Sequence, residues 1–351
     1  TLLTISDYYR ERYGRVVEVA CSLIIMLSYL GWVSAQVTAL GLVFNVLSGG
    51  AISVPWGMVI GVVSILAYTL FGGMWSVAIT DFIQMIILVV GLSVLAVFAA
   101  DQAGGADKVV ALAVSQDMFK FWPEPTFKDI AFFIAAAVTI MFGSIPQQDV
   151  FQRVMSARTE GVAMTGAIAG GSLYFVFAFI PMFLAYAAQL IDPTMFAGLI
   201  KEDAQMILPT LILNHTPLAA QILFFGALLS AIMSTASGTL LAPSITLTEN
   251  ILREFIPMTD RQLLRTTRIV VVCFTVVVTT FALLSQGMSI YEMVGNAYKV
   301  PLVGAFIPLV MGLYWQRHDV DDPANIDRFA RLVGDDQVLS HLHVHTRCDA
   351  R

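Results

Sequence analysis

The residues in this sequence that could hold an ion stand in an apolar setting. Residues 226–239 read GALLSAIMSTASGT, and there Ala231, Ser234 and Thr235 fall at i, i+3 and i+4. On a helix these three share one face, one turn apart. A hard cation takes oxygen ligands, and two hydroxyls with one carbonyl freed by hydroxyl bonding would supply three of about five. The same small residues would equally let two helices approach closely. Asp81 lies in GGMWSVAITDFIQ, residues 72–84. If a helix starts at Val77, this carboxylate either caps its first turn or lies on a cation pathway. Lys299 follows Asn296 by three residues deep in another apolar run, too far from the run's end to snorkel out. It then either pairs with a carboxylate or meets an anionic group of a ligand. Glu249 and Glu292 stand near the ends of apolar runs and read as interfacial. The alternating His341, His343 and His345 could bind a metal, but they sit in an irregular polar stretch without a supporting shell.

The elements that must position these residues are membrane spans. The chain has 351 residues, 58% hydrophobic and 13% charged, with a mean hydropathy of +0.79. Soluble domains carry about 25% charged residues. A helix needs about 20 mostly apolar residues to cross some 30 Å of hydrocarbon. Such runs occur at residues 16–47, 54–70, 77–100, 130–145, 162–191, 218–247, 269–284 and 290–315, which predicts eight crossings. Barrel strands would alternate over about ten residues, so helices are the reading. Eight alternating spans put Arg10, Arg12, Arg15, Arg153, Arg158, Arg253, Arg261, Arg265, Arg268 and Arg317 on one side. The other side holds Lys108, Lys120, Lys128 and Lys201, diluted by carboxylates, so the arginine side reads as cytoplasmic. The fourth run carries Gly143-Ser144-Ile145-Pro146-Gln147-Gln148-Asp149. Pro removes an N–H and obstructs the preceding turn. The interruption is either a simple kink or unwound backbone at a mid-membrane binding site. Cys21, Cys273 and Cys348 are too few and scattered for a disulfide framework, and no basic stripe suggests a nucleic-acid partner.

These stretches together resemble a known family. Residues 68–84, YTLFGGMWSVAITDFIQ, look like the signature of the sodium/solute symporters, as do TISDYY at 4–9, RYG at 12–14 and AIMST at 231–235. The resemblance runs from Thr4 to about Trp315. It implies an all-α polytopic membrane protein of the leucine-transporter type, built on inverted repeats, with these spans as core helices 3 to 10. On that scheme core helices 1 and 2 would lie ahead of Thr1. Ala231 (carbonyl), Ser234 and Thr235 become sodium ligands, and Asp81 matches an acid implicated in sodium handling. Trp32, Ser144, Gln147 and Gln148, with Asn296 and Lys299, are the substrate-binding candidates. The run 143–154 is closest to the choline-transporter pattern, but Gln147 stands where that pattern has tryptophan. That change removes a cation–π partner worth ~0.5–2 kcal/mol. Lys299 nearby would repel a cation, so a carboxylate-bearing solute fits at least as well as choline.

The resulting expectation is a secondary active transporter, Na⁺-coupled, carrying a small polar organic solute by alternating access. Na⁺ is its coupling ion, with no organic cofactor, and it is not an enzyme. Its partners are the lipid bilayer and the solute. It would be a multi-pass protein of the cell (inner) membrane, with residues 1–15 cytoplasmic, 16–315 forming the transport domain and 316–351 a cytoplasmic polar tail. The alternative is a membrane sensor domain of a transporter-like histidine kinase.

Overall fold

The computed structural model describes residues 2–314, without the side chains of residues 68, 71–77 and 80. The histidine tract, Cys348 and the polar tail lie outside the described residues. Among the described residues there are only helices and their connections. In chain order these are α1 (Ile5–Tyr13), α2 (Arg15–Leu47), α3 (Val54–Gln102), α4 (Ala106–Ser115), α5 (Phe127–Gly143) and α6 (Gln148–Met155). Then follow α7 (Glu160–Phe177), α8 (Phe179–Ile191), α9 (Pro193–Glu202), α10 (Ile207–His215) and α11 (Leu218–Thr246). A π-helical turn, Leu247–Leu252, joins α11 to α12 (Arg253–Phe255), and α13 (Asp260–Leu284) comes next. Finally α14 (Ile290–Pro301) passes through a second π-helical turn, Leu302–Phe306, into α15 (Ile307–Tyr314).

Among the described residues, six helical stretches are long and apolar enough to cross a membrane, and α5 with α6 makes a seventh, bent by 49° at the break. The remaining expected crossing corresponds to Val54–Ala67, a shorter apolar helix inside α3. Here the structure departs from the sequence reading. The expected interruption between residues 70 and 77 is helical, and α3 is one element of 49 residues. Straight, it would separate its ends by about 70 Å. Its contacts show instead that it doubles back. Val54 and Met58 pack on Gly41 of α2, whereas Gly91 packs on Leu223 of α11. The Gln102 amide donates to the His215 carbonyl at 2.7 Å, just ahead of α11. The two halves of α3 therefore run in opposite directions, as two crossings require.

The segment ahead of α2 holds a docked helix, α1. Thr4 caps α1 reciprocally with Asp7, and Gly14, with φ +80°, makes the corner into α2. Tyr9 donates to the Ala305 carbonyl and Tyr13 to that of Pro308, each at 2.8 Å. Behind α1, Glu18 is fully buried. Its carboxylate takes Arg15 at 2.8 Å and the Asn250 amide at 2.9 Å. Asn250 also donates to Asp7 at 2.7 Å and accepts from the Thr4 hydroxyl at 2.8 Å. This knot ties α1 and α2 to the π-helical end of α11. It sets α2 and α11 antiparallel, with Ser234 midway between Leu218 and Asn250, about 24 Å from each.

At the opposite end, Asp192 caps α9, accepting from Met195 N–H at 2.9 Å and Thr194 at 2.7 Å, with His215 Nε2 at 3.1 Å. The Met195 N–H above all, then Thr194 and His215, hold its carboxyl down at about 2. The core runs along α2, where Ile25, Tyr29, Val33 and Leu40 are fully buried. By contrast α7 has no buried residue and exposes Val162, Ile168 and Phe175, the face a lipid-embedded helix presents.

Candidate functional site

Midway along α11, Ser234 is buried and its hydroxyl donates to Asp81 Oδ1. Asp81 stands at the head of the second crossing of α3, Asp81–Gln102, and its carboxylate is taken up by Ser234 and Arg153. Thr235 is half-buried beside Ser234, and its carbonyl takes the Thr239 hydroxyl at 2.8 Å. Ala231 sits one turn earlier on the same face. The contact shown is thus one carboxylate against one hydroxyl beside the middle of α11, with Ala231 and Thr235 adjacent to Ser234 by helical spacing.

Two further residues join it. Arg153, counted among the arginines that follow the fourth span, reaches Asp81 Oδ2 at 3.3 Å from α6. Its other nitrogen lies 3.4 Å from Asp149 Oδ2 and 3.1 Å from the Asp149 carbonyl. Asp149 Oδ1 accepts from the Tyr29 hydroxyl at 2.5 Å, and that hydroxyl accepts the Asp149 N–H at 3.0 Å. The chain Ser234–Asp81–Arg153–Asp149–Tyr29 thus joins α11, α3, α6 and α2. The i, i+4 spacing of Asp149 and Arg153 was a usable sequence signal. A tyrosine in an apolar run carried none.

The break between α5 and α6 is where the sequence placed it. Gly143 packs so tightly against α14 that a Cβ there would stand 2.4 Å from the Tyr298 carbonyl oxygen. After it, Ser144 turns back to the Met141 carbonyl at 3.1 Å, and the Gln147 amide donates to Ser28 at 3.2 Å. Trp32 lies against Tyr298, ring centres 5.3 Å apart and tilted by 34°. These contacts tie the α5–α6 break to α2 and α14. Three other substrate candidates do not join them. Gln148 is fully buried, and its Oε1 accepts the Ile5 N–H at 2.8 Å, so it holds α1. Asn296 and Lys299 are exposed and bonded to each other at 2.8 Å, away from the Ala297 and Met293 face that meets α2. Lys299 therefore meets an amide here, neither of the two partners expected for it. Glu292 caps α14 with Ser289, and Glu249 pairs with Arg253 at 2.7 Å.

With this geometry in hand, the comparisons are informative. Residues 1–321 match the family described as the sodium:solute symporter family. The chain is 25% identical to high-affinity choline transporter 1 of Caenorhabditis elegans, over 96% of this chain and 60% of that protein. It is 27% identical to high affinity choline transporter 1 of Homo sapiens, over 81% of this chain and 50% of that protein. It is also 27% identical to a high-affinity proline transporter of Bacillus subtilis, over 90% of this chain and 66% of that protein. It spans about half to two thirds of the length of these relatives, which are transporters and not enzymes. A solved Na⁺-coupled sialic acid symporter, in a substrate-bound outward-open state, superposes with a TM-score of 0.74. The identity is 20%, over 90% of this chain and 67% of that one, a likeness of fold. The fold is the all-helical, polytopic leucine-transporter type, and the chain is a multi-pass membrane protein. It belongs to the sodium:solute symporter family.

Proposed function

We propose that this protein is a secondary active transporter that couples the inward movement of Na⁺ to uptake of a small polar organic solute by alternating access. The observation that carries the reading is the Asp81 carboxylate against the Ser234 hydroxyl at mid-span, on the face shared with Ala231 and Thr235. A carboxylate within an apolar helical bundle is expensive and marks an ion pathway by default. Na⁺ gains about 2.3 kcal/mol per 100 mV on crossing, which drives the cycle without an organic cofactor. The arginine-rich side is cytoplasmic, and the protein resides in the cell membrane.

The solute region is the aromatic pair Trp32–Tyr298 with Ser144 and Gln147, beside the α5–α6 break. With Lys299 turned to the exposed face of α14, its charge no longer counts against a cationic solute. Choline and proline, the solutes named for the relatives, therefore head the panel to test. Uptake of labelled choline and proline by the full-length protein in proteoliposomes, with Na⁺ or K⁺ outside, decides. Na⁺-dependent uptake is expected, with Ser234→Ala plus Thr235→Ala removing the dependence. Uptake indifferent to Na⁺, or to that double substitution, refutes the sodium site.

A further inference from the structure

Arg153 bridges the two regions that the transport reading treats separately. Asp81 touches Ser234 in the ion region, while Asp149 opens α6, the downstream half of the broken span. One guanidinium lies between these carboxylates, at 3.3 Å from the first and 3.4 Å from the second. Charge-assisted pairs close to about 2.7–2.9 Å, so neither contact is fully made. Asp81, Asp149 and Arg153 together carry one uncompensated negative charge among apolar helices, where such a charge is costly. A monovalent cation at Asp81 and Ser234 balances it. Arg153 is also reached by solvent. Its Nη2 lies over Gly238, where a Cβ would stand 3.0 Å away, and its side chain is 45% exposed.

We propose that Arg153 is a resident counter-cation for Asp81, displaced onto Asp149 when Na⁺ binds, and so the coupling residue that reports ion occupancy to α6. The inference rests on the sodium reading of Asp81 and Ser234. Without Na⁺, Arg153 tethers α6 to α3. When Na⁺ takes over Asp81, the guanidinium closes fully on Asp149, which is already held by Tyr29 at 2.5 Å. Tension on α6 then changes at its first turn, directly after Gln147, whose amide is fixed on Ser28. Arg153 acts through Asp149 and touches no solute, which makes it a positioning residue.

The test uses purified full-length protein in detergent, with radiolabelled Na⁺ binding and amide hydrogen exchange over residues 143–155, each measured with and without Na⁺. In the wild type, Na⁺ binds and alters exchange in that segment. Arg153→Gln removes the competitor, so Na⁺ binds more tightly, by roughly fivefold or more, the worth of an incompletely made charge-assisted bond. The exchange change on Na⁺ addition is lost. Arg153→Lys retains a competing charge without the fork. It keeps Na⁺ affinity near the wild-type value while the exchange response shrinks, and it serves if the glutamine variant folds poorly. Unchanged or weaker Na⁺ binding in Arg153→Gln overturns the proposal, and so does a preserved exchange response. A wild type that binds no Na⁺ instead overturns the sodium reading itself.

Discussion

Gly143 gives the sharpest test of the packing argument, because one methyl group has opposite effects at two helical glycines. At Gly143 a Cβ would lie 2.4 Å from the Tyr298 carbonyl oxygen and 3.0 Å from its Cβ. The obstructing atom is main chain of α14 and cannot swing aside. Forcing an extra carbon into a filled space costs about 1–3 kcal/mol, more where backbone must shift. Against this, Gly→Ala in a helix returns up to about 1 kcal/mol of propensity. Gly143 closes α5, where that return is smaller, so Gly143→Ala should destabilise by about 1–2 kcal/mol. At Gly170, inside α7, nothing lies within 4 Å of the added carbon. Gly170→Ala should therefore stabilise, by up to about 1 kcal/mol. Thermal denaturation of both variants in the same detergent, followed by intrinsic fluorescence, gives the comparison. A Gly143→Ala protein as stable as Gly170→Ala would refute the close approach of α5 and α14.

Three further outcomes follow from the same contacts. Asn250→Leu leaves buried Glu18 and the Thr4 hydroxyl short of partners, at about 2–3 kcal/mol. Trypsin should then cut after Arg10 or Arg12, and an unchanged digestion pattern would count against the docking of α1. The Asp192 carboxyl is held near 2, below its ordinary 3.8. A depressed acid stabilises fully above its unfolded value, so the α9 clamp should weaken only as pH falls from about 3.8 through 2. Amide exchange around residues 192–216 would show this, and Asp192→Asn should abolish the pH step. Trp32→Ala should lower solute uptake in the proteoliposome assay while leaving radiolabelled Na⁺ binding within twofold or so, since it removes an aromatic pair worth about 0.5–1.5 kcal/mol. Loss of Na⁺ binding with it would place Trp32 in the ion region instead.

Much of the architecture was legible in the sequence, because crossing a bilayer forces long apolar runs that few other folds contain. The break at residues 143–149 was visible for a similar reason, since a proline followed by two glutamines has no place in a lipid-facing helix. Ser234 and Thr235 could be placed on one helical face by counting alone. What escaped is what joins distant segments. Asp81 and Arg153 are 72 positions apart and Tyr29 and Asp149 are 120 apart. No local pattern records such pairs. The positive-inside rule counts charges and does not see that Arg153 is held between two carboxylates. Gln148 looked like a pocket residue because of its neighbours in sequence, yet its side chain turns to α1. The docking of α1 was hidden because its partner Asn250 lies more than 230 positions away from Thr4, Asp7 and Glu18.

The two π-helical turns, Leu247–Leu252 and Leu302–Phe306, have a bearing on how this sequence can vary. Each holds about one residue more than an α-helix needs for the same rise, in effect an insertion that the fold has absorbed. Removing a single residue from either would restore regular winding within the turn and leave the helix beyond it close to its present register. In the first turn the local change falls on Asn250, the partner of Glu18. In the second it falls on Ala305, whose carbonyl accepts from the Tyr9 hydroxyl. At these two places a one-residue deletion is a local change, whereas in the α-helical runs on either side it would turn everything downstream by about 100°.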